Sequence, residues 1–222
     1  MTKDIVLFGL YSIVHLVAIV SITKENVFFL PSKIIPILLL ILFLSRDWAY
    51  LLKKGKLVVV ALVFSLFGDS FLALPSPDFF VPGLGSFLVA QLIYAYAFSI
   101  GSKLSIVRLI PFVIFGCTFF YFLKPELGPL LIPVAVYVSA ICLMGWRSLA
   151  RVAPSRVYFL GLFGSLIFIL SDSIIAYSMF LNRTMDRQVA SLLIMITYYL
   201  AQFFIYAATK VEELNSVRRK ST

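Results

Sequence analysis

The chain is poor in the residues from which most hydrolytic and metal sites are built. It has one histidine, His15, and two cysteines, Cys117 and Cys142, in 222 residues. A zinc hydrolase needs several nitrogen, sulfur or oxygen ligands, so a lone imidazole supplies no such set and no metal is expected. Both cysteines lie in apolar stretches, which argues against a disulfide framework. No G-x-S-x-G elbow is present to lift a serine nucleophile onto a strand-to-helix turn. Gly68-Asp69-Ser70-Phe71-Leu72 imitates the start of a GDSL-type hydrolase motif. It sits in the middle of a long apolar run, where the serine has neither a strand end nor a histidine partner. Charge is scarce too, at 13% of residues against about 25% in soluble domains.

What fills the space is hydrocarbon. The chain is 62% apolar against roughly 45–50% for a soluble domain. The excess falls in runs near bilayer-spanning length. The expected fold is all-α, a polytopic membrane bundle of eight transmembrane helices at about 4–22, 33–51, 57–74, 83–101, 104–122, 129–146, 156–180 and 188–209. These form one domain over 1–209, with a short basic tail over 210–222. The first run follows Lys3 like a signal peptide, yet no small-x-small cleavage pattern follows it, so it reads as a span. Pro31, Pro75, Pro77, Pro82, Pro125, Pro129 and Pro154 mark connections.

The net charge of +9 does not point to nucleic acid. Of the nineteen basic residues, fourteen fall on one set of flanks (Lys3, Arg46, Lys53, Lys54, Lys56, Lys103, Arg108, Arg147, Arg151, Arg156, Lys210, Arg218, Arg219 and Lys220). The other set holds Lys24, Lys33, Lys124, Arg183 and Arg187. The positive-inside rule then puts both termini in the cytoplasm, of a bacterial inner membrane or an endoplasmic reticulum. Arg218, Arg219 and Lys220 are expected at the lipid headgroups.

Against this background two acids stand out. Asp69 and Asp172 are the acidic residues inside apolar segments, and an intramembrane carboxyl marks a functional site by default. Gly68-Asp69-Ser70 matches Ser171-Asp172-Ser173, each followed by a helix with Gln and Tyr (Gln91 and Tyr94, Gln202 and Tyr206). The match is consistent with a parallel repeat of four plus four. His15, Gln91, Tyr198 and Tyr199 share the outer half of the bundle with the two acids, and Lys33 sits at its mouth. On the fourth span Gly83, Phe87, Ala90, Tyr94, Ala97 and Gly101 share one helical face. On the seventh, Gly161, Ser165, Phe168, Asp172 and Ala176 do so.

The carboxyl pair can work as acid and counter-charge, one holding a proton while the other stays ionised. It can also be two acids capped by serine and tyrosine hydroxyls. Lys33 reads as a snorkelling anchor or a phosphate contact, and His15 as a packing residue or a pocket donor. Tyr94, Tyr198, Tyr199 and Gln202 are polar handles for the same pocket. A proton- or cation-coupled transporter would use the same acids.

Taken in order, Lys33, Gly68-Asp69, Gly83-Leu-Gly-Ser-Phe with Ala90-Gln91-Leu-Ile-Tyr94, Ser171-Asp172-Ser173 and Thr197-Tyr-Tyr-Leu-Ala-Gln202 resemble the YhhN family, which includes the lysoplasmalogenases. The resemblance covers nearly the whole chain. It implies hydrolysis of the vinyl ether bond of a lysophospholipid, lysoplasmalogen, to fatty aldehyde and a glycerophospho-head. It also implies Asp69 and Asp172 as the catalytic pair and no cofactor. Two positions depart from the family pattern. Gln91 stands where the family usually has His, and the proline after Lys33 comes three residues on, at Pro36.

Overall fold

The computed structural model describes residues 2–46 and 48–220; the side chains of Thr2 and of residues 218–220 are outside that description. The expected headgroup placement of Arg218, Arg219 and Lys220 therefore lies outside the described residues. The described chain is helical without strands: α1 (Thr2–Ser21), α2 (Phe29–Ser45), α3 (Lys53–Ala73), α4 (Phe80–Ser99), α5 (Ile110–Leu123), α6 (Leu131–Leu149), α7 (Ser155–Ala176) and α8 (Arg187–Lys220). A five-residue π-turn, Tyr177–Leu181, ends α7. Among the described residues, six helical stretches are long and apolar enough to cross a bilayer. α2 and α5 are shorter, at 17 and 14 residues.

Two boundaries differ from expectation. α2 begins four residues before Lys33, because Pro31 does not end a loop but sits in the first helical turn, where its missing N–H costs nothing. The turn is prepared by Asn26, whose carbonyl accepts from Phe29 N–H at 2.9 Å. α5 begins at Ile110 rather than near 104, with Pro111 in its opening turn and the stretch before it irregular. Gly101, expected on the face of α4, lies past the helix end at φ 72°.

The bundle inverts the pattern of a soluble protein. Ile5, Leu10, Ile13 and Val17 of α1 and Phe159, Phe163 and Leu170 of α7 point outward, as a lipid-facing surface requires. Inside, large apolar side chains such as Leu40, Leu62 and Phe168 share the core with Lys33, Asp69, Gln91 and Gln202. α3 packs most extensively on α4, and α7 on α8. Close approach is permitted where glycine removes a side chain: a Cβ at Gly68 would come within 2.6 Å of the Phe87 ring.

At the end of the bundle that holds the C-terminus, α8 is tied back onto the start of α3. Glu213 accepts the Leu52 N–H at 3.0 Å, and Glu212 pairs with Lys54 at 2.9 Å and with Arg151.

Candidate functional site

The two carboxyls stand one helical turn from the ends of their helices, Asp69 four residues before Ala73 and Asp172 four before Ala176. Their surroundings differ.

Asp69 is 2% exposed and fully partnered. Its Oδ1 lies 3.4 Å from the Lys33 ammonium, and the Tyr198 hydroxyl donates to Oδ2 at 2.6 Å. The earlier start of α2 turns Lys33 inward rather than leaving it at the mouth. Tyr198 is fixed between the rings of Phe87 and Phe168, each edge-on at 5.7 Å. Behind it, Gln202 donates to Ser65 at 3.0 Å and to the Tyr198 oxygen at 3.3 Å, and accepts from Tyr94 at 2.7 Å. Pro36 removes one N–H inside α2, leaving the Ser32 carbonyl without its helical donor, and one residue on the Lys33 carbonyl accepts from Tyr199 at 2.8 Å.

His15 belongs to the same side. Its Nδ1 is 2.9 Å from the Ser32 hydroxyl, whose only proton goes to the Phe29 carbonyl at 2.7 Å. Ser32 thus bridges the His15 ring and the backbone of α2. His15, Lys24 and Lys33 line a cavity of about 310 Å³, with Ser76 and Ser191 on its walls.

Among the described residues no cation pairs with Asp172. Its Oδ2 accepts from Tyr137 at 2.6 Å and from Gln91 at 2.8 Å, and the other amide hydrogen of Gln91 goes to the Tyr137 oxygen at 2.8 Å. Among the described residues nothing donates to Oδ1. The half-buried side chain lines a second, narrower chamber of about 60 Å³, shared with Tyr137 and Ser173, whose other walls are apolar, including Phe87, Phe115, Phe119 and Ile169. Leu72, Phe80 and Ile175 line both cavities, so the two chambers meet at one wall.

The residues singled out in the sequence thus fall into two groups. Lys33, Asp69, Tyr94, Tyr198, Tyr199, Gln202 and His15 gather on the Asp69 side; Gln91 joins Asp172. Among the described residues no hydrogen bond or ion pair joins the two carboxyls. Sequence reasoning missed Tyr137, Ser65 and Ser32. Lys24 was counted only as a flanking charge. No group of three or more His, Cys, Asp or Glu side chains converges among the described residues.

An apolar-surfaced helical bundle with one buried, ion-paired acid and one half-buried acid facing a largely apolar chamber defines an integral membrane protein. The chain belongs to the YhhN family, whose sequence profile matches residues 28–209. Among similar curated proteins, the lysoplasmalogenase TMEM86A of Bos taurus is 36% identical over 194 residues, covering 83% of this chain and 79% of the relative. The human lysoplasmalogenase TMEM86B is 34% identical over 176 residues, covering 78% and 71%. That of Rattus norvegicus is 33% identical over 176 residues, covering 77% and 68%. No solved structure matches the chain.

Proposed function

We propose that the chain is a membrane-embedded ether hydrolase of the lysoplasmalogenase type. It cleaves the vinyl ether bond of an alkenyl-glycerophospholipid to a fatty aldehyde and a glycerophospho-head. The observation that carries this reading is the meeting of the two chambers. A lysolipid joins a charged headgroup to an apolar chain, and the vinyl ether lies at the junction. A cationic cavity adjoining an apolar one that holds a carboxyl suits such a molecule.

The chemistry needs a proton on carbon. Asp172, in an apolar chamber without a cation, is the carboxyl suited to carry it. Tyr137 and Gln91 occupy Oδ2, so the proton belongs on Oδ1, which is free of protein donors. Transfer from Oδ1 to the outer vinyl carbon leaves an oxocarbenium ion, and the new carboxylate stands beside that charge, held by the same two donors. Water adds to the cationic carbon and gives up a proton to a base. The resulting hemiacetal collapses to aldehyde as the glycerol oxygen is protonated, and Asp172 recovers its proton. The Asp172 carboxylate, which has just given up its proton, is the acceptor suited to that water. Asp69, which does not line either cavity, acts as a positioning residue: it stays ionised and holds Lys33 at the wall of the cationic chamber.

The charge asymmetry of the flanks supports cytoplasmic termini, which places the cationic chamber toward the opposite leaflet. The helices that bear the aspartates run unbroken past them, to Ala73 and Ala176, unlike the interrupted helices of many coupled transporters. The test is aldehyde release by the purified protein from alkenyl-glycerophosphocholine, beside its acyl-ester counterpart. Release from the ether and none from the ester supports the reading. No release by folded protein overturns it.

A further inference from the structure

The cationic chamber holds two lysines, and they are not equivalent. Lys33 is charge-matched, its ammonium 3.4 Å from Asp69. Lys24 is not. It leaves the α1–α2 loop and reaches across to the last turn of α3, where its ammonium donates to the Leu72 carbonyl at 3.4 Å. The end of a helix carries carbonyls without intrahelical partners and favours a cation, so this contact holds Lys24 in place without cancelling its charge. Lys24 and the acid adjoining it in sequence, Glu25, are both exposed. Partial desolvation together with Lys33 and Arg187 pushes the Lys24 ammonium below the usual lysine range, with Glu25 opposing. Two lysine ammoniums thus line one cavity, and the carboxylate that matches one of them, Asp69, pairs with Lys33 from outside the lining. No acidic side chain lines it among the described residues.

We propose that Lys24 is the anchor for the phosphodiester of the lysolipid headgroup, so that the chamber selects its substrate by phosphate and not by amine. The inference rests on the hydrolase reading for the identity of the lipid. A phosphodiester brings one negative charge, which matches the one uncompensated ammonium. Ser191 lines the same cavity and adds a hydroxyl-bearing residue to it. Choline or ethanolamine beyond the phosphate finds no carboxylate in the lining, so the two should be accepted alike.

The experiment compares alkenyl-glycerophosphocholine, alkenyl-glycerophosphoethanolamine and alkenyl-glycerol, which lacks phosphate, with wild type, Lys24→Gln and Lys24→Arg. A charge-assisted hydrogen bond supports a KM rise of about ten- to hundredfold for both phosphodiesters in Lys24→Gln, with kcat little changed. KM for alkenyl-glycerol should stay the same, and Lys24→Arg should resemble wild type. Equal shifts for all three substrates, or none, overturn the proposal. A second arm measures binding of a saturated alkyl-glycerophosphocholine, which cannot be cleaved, and of alkyl-glycerol, to the full chain in detergent. Weakened binding of the first alone in Lys24→Gln supports the site even where no aldehyde is released, so failure of hydrolysis and failure of the anchor are told apart. Displacement of the alkyl lipid by inorganic phosphate as effectively as by glycerophosphocholine assigns the site to free phosphate and overturns the lipid assignment.

Discussion

Asp69 and Asp172 occupy matching places, one turn from the ends of α3 and α7, and have opposite neighbourhoods. Around Asp69 the polar groups are satisfied: an ammonium, a tyrosine hydroxyl, and behind them Gln202 with both ends engaged. Around Asp172 satisfaction is partial. Among the described residues Oδ1 has no protein donor, and the Gln91 Oε1 is buried without a partner. A buried charge is tolerated only with a counter-charge and hydrogen bonds, so the first site is built for stability. The second leaves one oxygen free toward a cavity, which is what a proton donor to an external molecule needs. Neighbours, not residue type, distinguish the two aspartates.

That contrast can be broken experimentally, beginning with the largest effect. Asp172→Asn keeps an acceptor for Tyr137 but removes the acid. Aldehyde release should fall by about 10²–10⁴-fold while the unfolding transition in detergent stays near wild type. Asp69→Asn should act mainly on stability, since it strands the Lys33 ammonium in the core. A loss of about 3–5 kcal/mol is expected in denaturant unfolding, and adding Lys33→Met should recover most of it. If Lys33→Met instead deepens the loss, the ion pair does not govern this site.

Smaller effects sharpen the comparison. Gln202→Met removes the acceptor of Tyr94 and the donor to Ser65 at once, and should cost about 1–3 kcal/mol. Gln91→Met removes a donor to Asp172 together with an orphaned acceptor, so its stability change should stay within about 1 kcal/mol. Its effect should appear instead as a lower kcat. Equal stability losses in the two variants would contradict the claim that one network is complete and the other is not.

Much of this arrangement was legible in the sequence. The two aspartates, the helical class and the buried face of α4 follow from apolar runs and 3.6-residue spacing. The partners of each acid were not legible. Lys33 looked like a mouth residue because Pro31 resembles a loop marker, whereas a proline in the first turn is compatible with helix and turns the lysine inward. Tyr137 lies 46 residues from Gln91 and 35 from Asp172, and one tyrosine on an apolar span carries no periodic signal of a contact so remote. His15 was visible as the lone histidine, but its contact with Ser32, 17 residues away, is shown only by geometry. The chambers themselves arise where α3, α4 and α7 share Leu72, Phe80 and Ile175, a convergence that no single segment encodes.

The most direct test of the division of labour is aldehyde release per folded molecule for wild type, Asp172→Asn and Asp69→Asn, with alkenyl-glycerophosphocholine and matched unfolding curves. The account predicts that Asp172→Asn is folded and nearly inactive, while Asp69→Asn is destabilised yet retains more turnover per folded molecule. A folded Asp172→Asn variant that releases aldehyde within about tenfold of wild type would contradict it, since a general acid contributes far more than that.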